Sequence, residues 1–431
     1  LARRLADAAG TPLITVLLVV HGITPFAESV MGFGIGAMIG VPLLLHVGIP
    51  PARAAIIALL GLAAVPWGAM APGILVAAGM TGLDFHDLGV ASARLSLLPF
   101  VVCGIAAVLV AFGRQARLPG LLAATATGVV FCAGVIGANI VAGTPPAGAL
   151  GALITILVIL AWTQLGRGFA GTRQRAECLV EHETERSVVQ GPDHAAEGDT
   201  PVPGRAQNVG VGHSEGGGHS EVLRAMLPYA VLLGGVLVAR AATGSLPDEA
   251  LGRYVASPGL WLAVACLSEY VLHRLYRDPS SVHAAVGTAW HSWRAVAPAT
   301  ASFVLVGILM VVAGMTAAIA AAATTIGPAY SFFAPTLAGI GGFLTGSNAG
   351  ANAMFAAPQA QAAQALGKPV MEFVAMQNVG ASLLTMASPG RVLLAVRMCP
   401  PGSTSMRGTT LSLVAIDAVV IAGLGVVTLL M

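Results

Sequence analysis

Long apolar stretches recur along the whole chain, separated by short polar ones, and they constrain the fold more than any other feature. A membrane span takes about 20 apolar residues in helical form. Candidate stretches are 13–25, 30–46, 54–80, 90–112, 118–141 and 147–165, then 222–240, 259–272, 296–322, 331–344, 370–396 and 409–431. Several are short for a full crossing, and others are cut by proline or glycine, notably at Pro66, Pro72 and Pro389. Strand-like alternation is absent, which argues against a β-barrel. Charge points the same way: 9% of the 431 residues are charged and 56% are hydrophobic, where soluble chains carry about 25% charge. The expected fold is an all-α polytopic membrane protein with about 11–12 hydrophobic segments and no soluble domain large enough for its own core. The formal net charge of +2 implies no nucleic-acid partner.

The chain divides into a membrane half at 1–166, a polar stretch at 167–221 and a second membrane half at 222–431. The polar stretch holds nine of the nineteen acidic residues, with Gly, Pro and four of the ten His. It lacks the apolar surface to fold alone and is expected to be a disordered cytoplasmic linker. Its run HSEGGGHSE, with His213 and His219, is read as a solvated loop rather than a weak metal site, so no cofactor is expected. Arginines cluster at Arg114 and Arg117, at Arg167, Arg173 and Arg175, and at Arg274, Arg277 and Arg294. Placing these loops inside leaves Asp84, Asp87, residues 143–146, Asp248 and Glu249 outside, a self-consistent topology. Cys103, Cys132, Cys178, Cys266 and Cys399 have no metal or redox spacing and read as small hydrophobes. A single lysine, Lys368, stands against twenty arginines, which suggests a GC-rich bacterial source. The abrupt start, LARRLADAAG, carries no signal-peptide pattern and is expected to be truncated or misassigned.

Two stretches resemble each other. ESVMGFGIG, HVGIPPARAA and VPWGAMAPG follow in order over 28–73, and TGSNAGANA, LGKPVMEFV and LLTMASPG over 345–390. Each opens on a polar, glycine-containing break and passes through an apolar stretch to a Gly-x-Pro turn. Each then enters an apolar helix cut at Pro-Gly. Gly48 to Pro72 is 24 positions and Gly367 to Pro389 is 22. Loop charges orient the copies oppositely, giving inverted repeats with broken or re-entrant helices, a pattern of many secondary transporters. Unwound backbone at membrane depth survives only when buried in protein or lining a water-filled cavity. Glycine permits the turn, Ser and Asn satisfy freed backbone groups, and the helix N-termini left at a break attract a carboxylate. The alternative is a kink where small residues pack helix on helix.

The breaks supply the candidate substrate-binding residues Ser29, Gly32, Gly34, Thr345, Ser347, Asn348, Asn352, Gln377, Asn378, Ser388 and Arg391. Glu28, flanked by apolar sequence, must be protonated or paired. It is the candidate proton-coupling group, the alternatives being an interfacial position or a permanent Arg partner. Arg391 is either the fixed charge for an anionic substrate or a snorkelling surface residue. Trp67 lines the cavity or packs beside Pro66, and Asp417 is read as a helix-pairing or boundary residue. No GxxxxGK or HExxH motif and no acid cluster with metal spacing is present, so an enzyme is not expected.

At these motifs the sequence resembles the lactate permease family, proton-coupled carriers of lactate and glycolate in bacterial inner membranes. Residues 28–34, ESVMGFG, look like the family's Glu-Gly-Ala-Ala-Gly-Phe-Gly. GAMAPGILVA from Gly68, with TGLD ending at Asp84, is similar to its Gly-Ala-Met-Gly-Ile-Pro-Ile-Leu-Val-Ala and Thr-Gly-Ile-Asp. GFLTGS from Gly342, with NAMF from Asn352, looks like its Phe-Leu-Thr-Gly-Ser and Asn-Ala-Leu-Phe, and MASP from Met386 resembles its Met-Ile-Ser-Pro. The resemblance covers roughly residues 20–165 and 283–400. There are departures. Asn348 stands where the family has an acid, Ala-Gly-Ala follows in place of Thr-Ser-Ser, Thr385 replaces a Lys, Gly390 replaces a Gln, and the family's extra N-terminal spans are not seen. The resemblance implies a multi-pass permease of the bacterial inner membrane that moves a small monocarboxylate with a proton by an elevator-like motion. Another organic anion, such as a dicarboxylate or sulfonate, or an anion channel, are the alternatives. The implied partners are the anion, the proton and the lipid bilayer, with a homo-oligomer left open.

Overall fold

The computed structural model describes residues 11–164, 218–243, 254–255, 257–276 and 279–431, and among these every regular element is helical. The chain is an all-α polytopic membrane protein. Helix α1 (Pro12–Met31) is long and apolar enough to span. The Thr11 hydroxyl caps it by accepting from the Ile14 N–H at 3.4 Å, with proline in the first turn. Its middle, Val19–Ile23, is wound as a π-helix. α2 (Ile35–His46) follows a break at Gly32–Gly34. α3 (Pro51–Trp67) tightens to 3-10 winding over Gly61–Trp67, where Pro66 removes an α-helical donor. After a second break comes α4 (Pro72–Thr81). α5 (Phe85–Leu95), α6 (Leu97–Phe112), α7 (Leu118–Ala142) and α8 (Thr144–Gln164) complete this half.

The second half holds α9 (Gly218–Thr243), α10 (Pro258–Tyr276), α11 (Pro279–Val312), α12 (Met315–Ile326) and α13 (Ala329–Thr345). It ends with α14 (Asn348–Ala365), α15 (Val370–Met386), α16 (Pro389–Arg397) and α17 (Met406–Leu430). The expected linker falls mainly on 165–217, outside the described residues, as does Cys178. Its last positions, 218–221, already belong to α9, so helix starts earlier than composition suggested.

Several expected spans are not continuous. The 296–322 stretch bends by 70° between α11 and α12, where Gly314 takes φ +72°. The 90–112 stretch is divided at Ser96 between α5 and α6. The bend between α3 and α4 and that between α15 and α16 are each 44°. The two motif copies pass through the same order of elements: break, helix, left-handed glycine turn (Gly48, φ +82°; Gly367, φ +64°), helix, break, short helix.

Packing follows from residue size. α15 is almost wholly buried and touches α13, α14, α5, α17 and the 3-10 end of α3. Such contact needs small residues: a Cβ on Gly380 would lie 3.0 Å from Ala338 Cβ. Large apolar side chains face outward instead, Val141 at 88% exposure on α7 and Val419 at 65% on α17. In water these would form adhesive patches, but against lipid tails they are at home. Cys103, Cys132 and Cys399 are buried like other small hydrophobes, whereas Cys266 is exposed.

Candidate functional site

All four breaks are wound in ways that ordinary helix forbids. Gly32, Phe33 and Gly34 take φ of +70°, +56° and +84°, so the left-handed region runs through three residues and glycine flanks the phenylalanine. The break after α3 repeats this without glycine: Ala69, Met70 and Ala71 take φ of +43°, +69° and +71°. Three successive left-handed L-residues are strained and persist only where surroundings over-determine them. Here the surroundings are α1. The Ala69 and Met70 N–H groups donate to the Glu28 and Ser29 carbonyls, each at 2.9 Å. The break after α13 turns at Gly346 (φ +60°), and the Ser347 hydroxyl caps α14 by accepting from the Gly350 N–H at 3.2 Å. The Thr345 hydroxyl lies 2.9 Å from the Gly341 carbonyl and 2.8 Å from that of Ser347, locking the turn. Ser388 marks the fourth break, between α15 and α16.

Three of these breaks and one charged pair meet around a cavity of about 430 Å³. Its wall includes Gly32 and Phe33, Gly68 and Ala69, the first residues of α4 (Pro72, Gly73), and Thr345 through Ala349. Thr300 and Phe303 of α11 close another side. The size suits a small ligand. Glu28 and Arg391 are the ionisable side chains among the lining residues described. They face each other: Arg391 Nη1 donates to Glu28 Oε1 at 2.5 Å, and the Gly34 N–H donates to Glu28 Oε2 at 2.9 Å. Both are buried, Glu28 at 1% and Arg391 at 7% exposure. Snorkelling is thereby overturned for Arg391, because its guanidinium turns inward to the carboxylate. For Glu28 the contact supplies the Arg partner given above as an alternative to proton coupling. The N-termini of α4 and α14 also border the cavity, adding partial positive charge.

A buried amide cluster supports the wall from behind. The Asn348 side chain donates to the Asn378 carbonyl at 2.7 Å. The Asn352 amide nitrogen lies 3.1 Å from the Gly73 carbonyl, 3.1 Å from Asn348 Oδ1 and 2.8 Å from Asn378 Oδ1. Asn378 in turn donates to the Ser92 hydroxyl at 2.9 Å. Four helices, α4, α5, α14 and α15, are tied together by this cluster.

The expected site residues therefore separate. Gly32, Thr345, Ser347, Asn348 and Arg391 line the cavity with Glu28. Gly34 touches it through its bond to Glu28, and Asn352 and Asn378 hold the wall without lining it. Ser29 and Ser388 are buried next to breaks and Gln377 is buried within α15, with Ser29 Oγ, Ser388 Oγ and both Gln377 amide atoms lacking a hydrogen-bond partner. Trp67 is a packing residue: fully buried, it lies against Phe100 with ring centroids 6.3 Å apart. Asp417 is fully buried, which overturns the boundary reading. Sequence reading missed Phe33, Ala69, Gly73, Thr300 and Phe303 as lining residues, and Ser92 as a wall partner. Gly73 carried a signal in its Pro-Gly break, whereas Phe303 and Ser92 carried none.

The L-lactate permease family model matches residues 250–428. The L-lactate permease of Escherichia coli strain K12 is 40% identical over 82 residues, 19% of this chain and 15% of that relative. The L-lactate permease of Salmonella typhi is 39% identical over the same coverage. The aligned part thus spans 15% of the curated relatives' length. No solved structure matches the chain. The resemblance read from the sequence is borne out over the matched stretch.

Proposed function

We propose that this chain, with the L-lactate permease pattern over residues 250–428, is a secondary transporter that carries a small monocarboxylate such as lactate or glycolate, with a proton, across a bacterial inner membrane. The observation that carries the reading is the cavity where the helix breaks of both motif copies meet, with one buried arginine and two helix N-termini on its wall. An arginine fork suits a planar carboxylate, and the N–H groups at a helix start suit an anion. The lining presents Arg391 as its one cation among the described residues. That favours a singly charged anion over a dicarboxylate, which would leave a second charge in low dielectric. The opposite orientation of the two copies, inferred from loop charges, gives such a carrier two symmetry-related ways to open.

Purified protein in liposomes tests the reading. Labelled lactate or glycolate should enter saturably, exchange against unlabelled substrate trapped inside, and accumulate when the outside is made acidic. Absence of both uptake and exchange for every small monocarboxylate tried would remove the proposal. Currents that do not saturate would move the reading to a channel.

A further inference from the structure

We infer that Arg391 changes partners during transport, leaving Glu28 for the substrate carboxylate, and that Glu28 takes up the co-transported proton because of that departure. The inference rests on the carrier reading above and adds a mechanism of coupling to it. As folded, the cavity holds one positive and one negative side chain in direct contact, so its net charge is zero. A monoanion entering alone would leave one uncompensated negative charge in a water-poor site, a costly state. If the guanidinium swings to the incoming carboxylate, Glu28 keeps the Gly34 N–H on Oε2 and loses its cation on Oε1. A proton from the water-filled side then binds Oε1, and the cavity returns to neutrality with anion, cation and neutral acid. On the other side the steps reverse: the proton leaves Oε1, the ion pair reforms and the anion is expelled. One proton moves per monoanion, and no net charge crosses.

Surrounding groups are consistent with Glu28 answering to Arg391 alone. On α1 itself, His21 is turned to the Thr127 hydroxyl and the Phe100 carbonyl, each at 2.9 Å. On α3, Arg53 donates to the Ala111 carbonyl. His46 sits in the last turn of α2. Tyr229 of α9 bonds Met31 Sδ at 3.4 Å, and Arg397 lies in the last turn of α16. None of these is a hydrogen-bond partner of Glu28. Gly34 sits against the arginine stem, where a Cβ would lie 3.4 Å from Arg391 Cδ, so glycine adds no side-chain contact to it.

The test uses the full chain in liposomes, with labelled lactate as the probe. Wild-type exchange of lactate is measured first; its absence counts against the carrier reading and not against the coupling mechanism. Given exchange, an imposed gradient of about one pH unit should concentrate lactate about tenfold, and the ratio of protons to lactate, read with an internal pH dye, should be one. A clamped membrane potential should have no effect. Glu28→Gln should lose the dependence of lactate entry on external pH and fall to no accumulation. Arg391→Gln should raise the half-saturating lactate concentration roughly a hundredfold. Accumulation that survives in Glu28→Gln overturns the proposal, as does an unchanged half-saturation in Arg391→Gln. If either variant fails to fold, the wild-type readings decide: charge movement with lactate, or a proton ratio other than one, also overturns it.

Discussion

Single positions around the cavity show how little tolerance the breaks leave. Gly73 opens α4 and its carbonyl takes a hydrogen bond from Asn352. A Cβ there would collide with Asn348 Oδ1, while one on Gly79, in the same helix, would meet nothing within 4 Å. Gly73→Ala should therefore destabilise by about 1–3 kcal/mol through overpacking, and Gly79→Ala should be neutral or stabilise by about 0.5–1 kcal/mol through helix propensity. Thermal unfolding in detergent separates them, and equal melting temperatures would show that the Asn348 contact does not constrain Gly73. Glu28 and Arg391 were legible in the sequence because a charge between apolar stretches needs a reason. Their mutual contact was not legible, since 363 positions separate them and no local pattern encodes such a pairing. Phe303 was invisible for a related reason: an aromatic within an apolar helix looks the same whether it faces a cavity, a neighbour or lipid.

The helices are built to hold their ends in place rather than to run on. Ser347 caps α14, Thr345 locks the preceding turn, and the asparagine cluster pins the start of α14 to α4, α5 and α15. Farther along α14, Gln359 forms a separate polar anchor, donating to the Ala334 carbonyl at 3.1 Å and accepting from the Tyr330 hydroxyl at 3.0 Å. Removing a buried partner costs about 1–3 kcal/mol per stranded group. Asn352→Ala and Gln359→Ala should both lower the melting temperature, but, on the proposed function, only Asn352→Ala should also shrink the stabilisation expected from added lactate. Loss of lactate stabilisation in both variants would mean that the asparagine cluster has no special link to the cavity. Element identity was largely readable from apolar length and from Pro and Gly positions. The Pro-Gly breaks and Gly-x-Pro turns fell where expected, and each motif copy carries the same 44° bend. The 70° bend before α12 was missed because Ala-Gly within an alanine-rich stretch is also what close helix packing uses.

Taken whole, the molecule places two like-ordered sets of elements against one cavity that holds a buried ion pair inside an apolar body, and such a cavity is useful to a carrier only if it opens to each side in turn. Membrane character was evident from composition alone, because so few charges cannot cover a soluble surface. The meeting of the two breaks followed from the repeated motif, once unwound backbone was required to be hidden from lipid. What remained hidden was which faces converge, since that depends on helix crossing and not on any one segment. Ala349, half-buried and lining the cavity, reports on access, while Ala353, one turn further along α14, is fully buried. In a background lacking the native cysteines, Ala349→Cys should react with a membrane-impermeant thiol reagent from both faces of sealed vesicles, because each opening exposes the same wall. Lactate should slow that reaction about tenfold at ten times its half-saturating concentration, as expected for occupancy of a single site. Ala353→Cys should stay unreactive from either face. Reaction from one face only, in the presence and absence of lactate alike, would mean that the cavity is a fixed vestibule, and the alternating carrier would have to give way to a pore or a one-sided receptor.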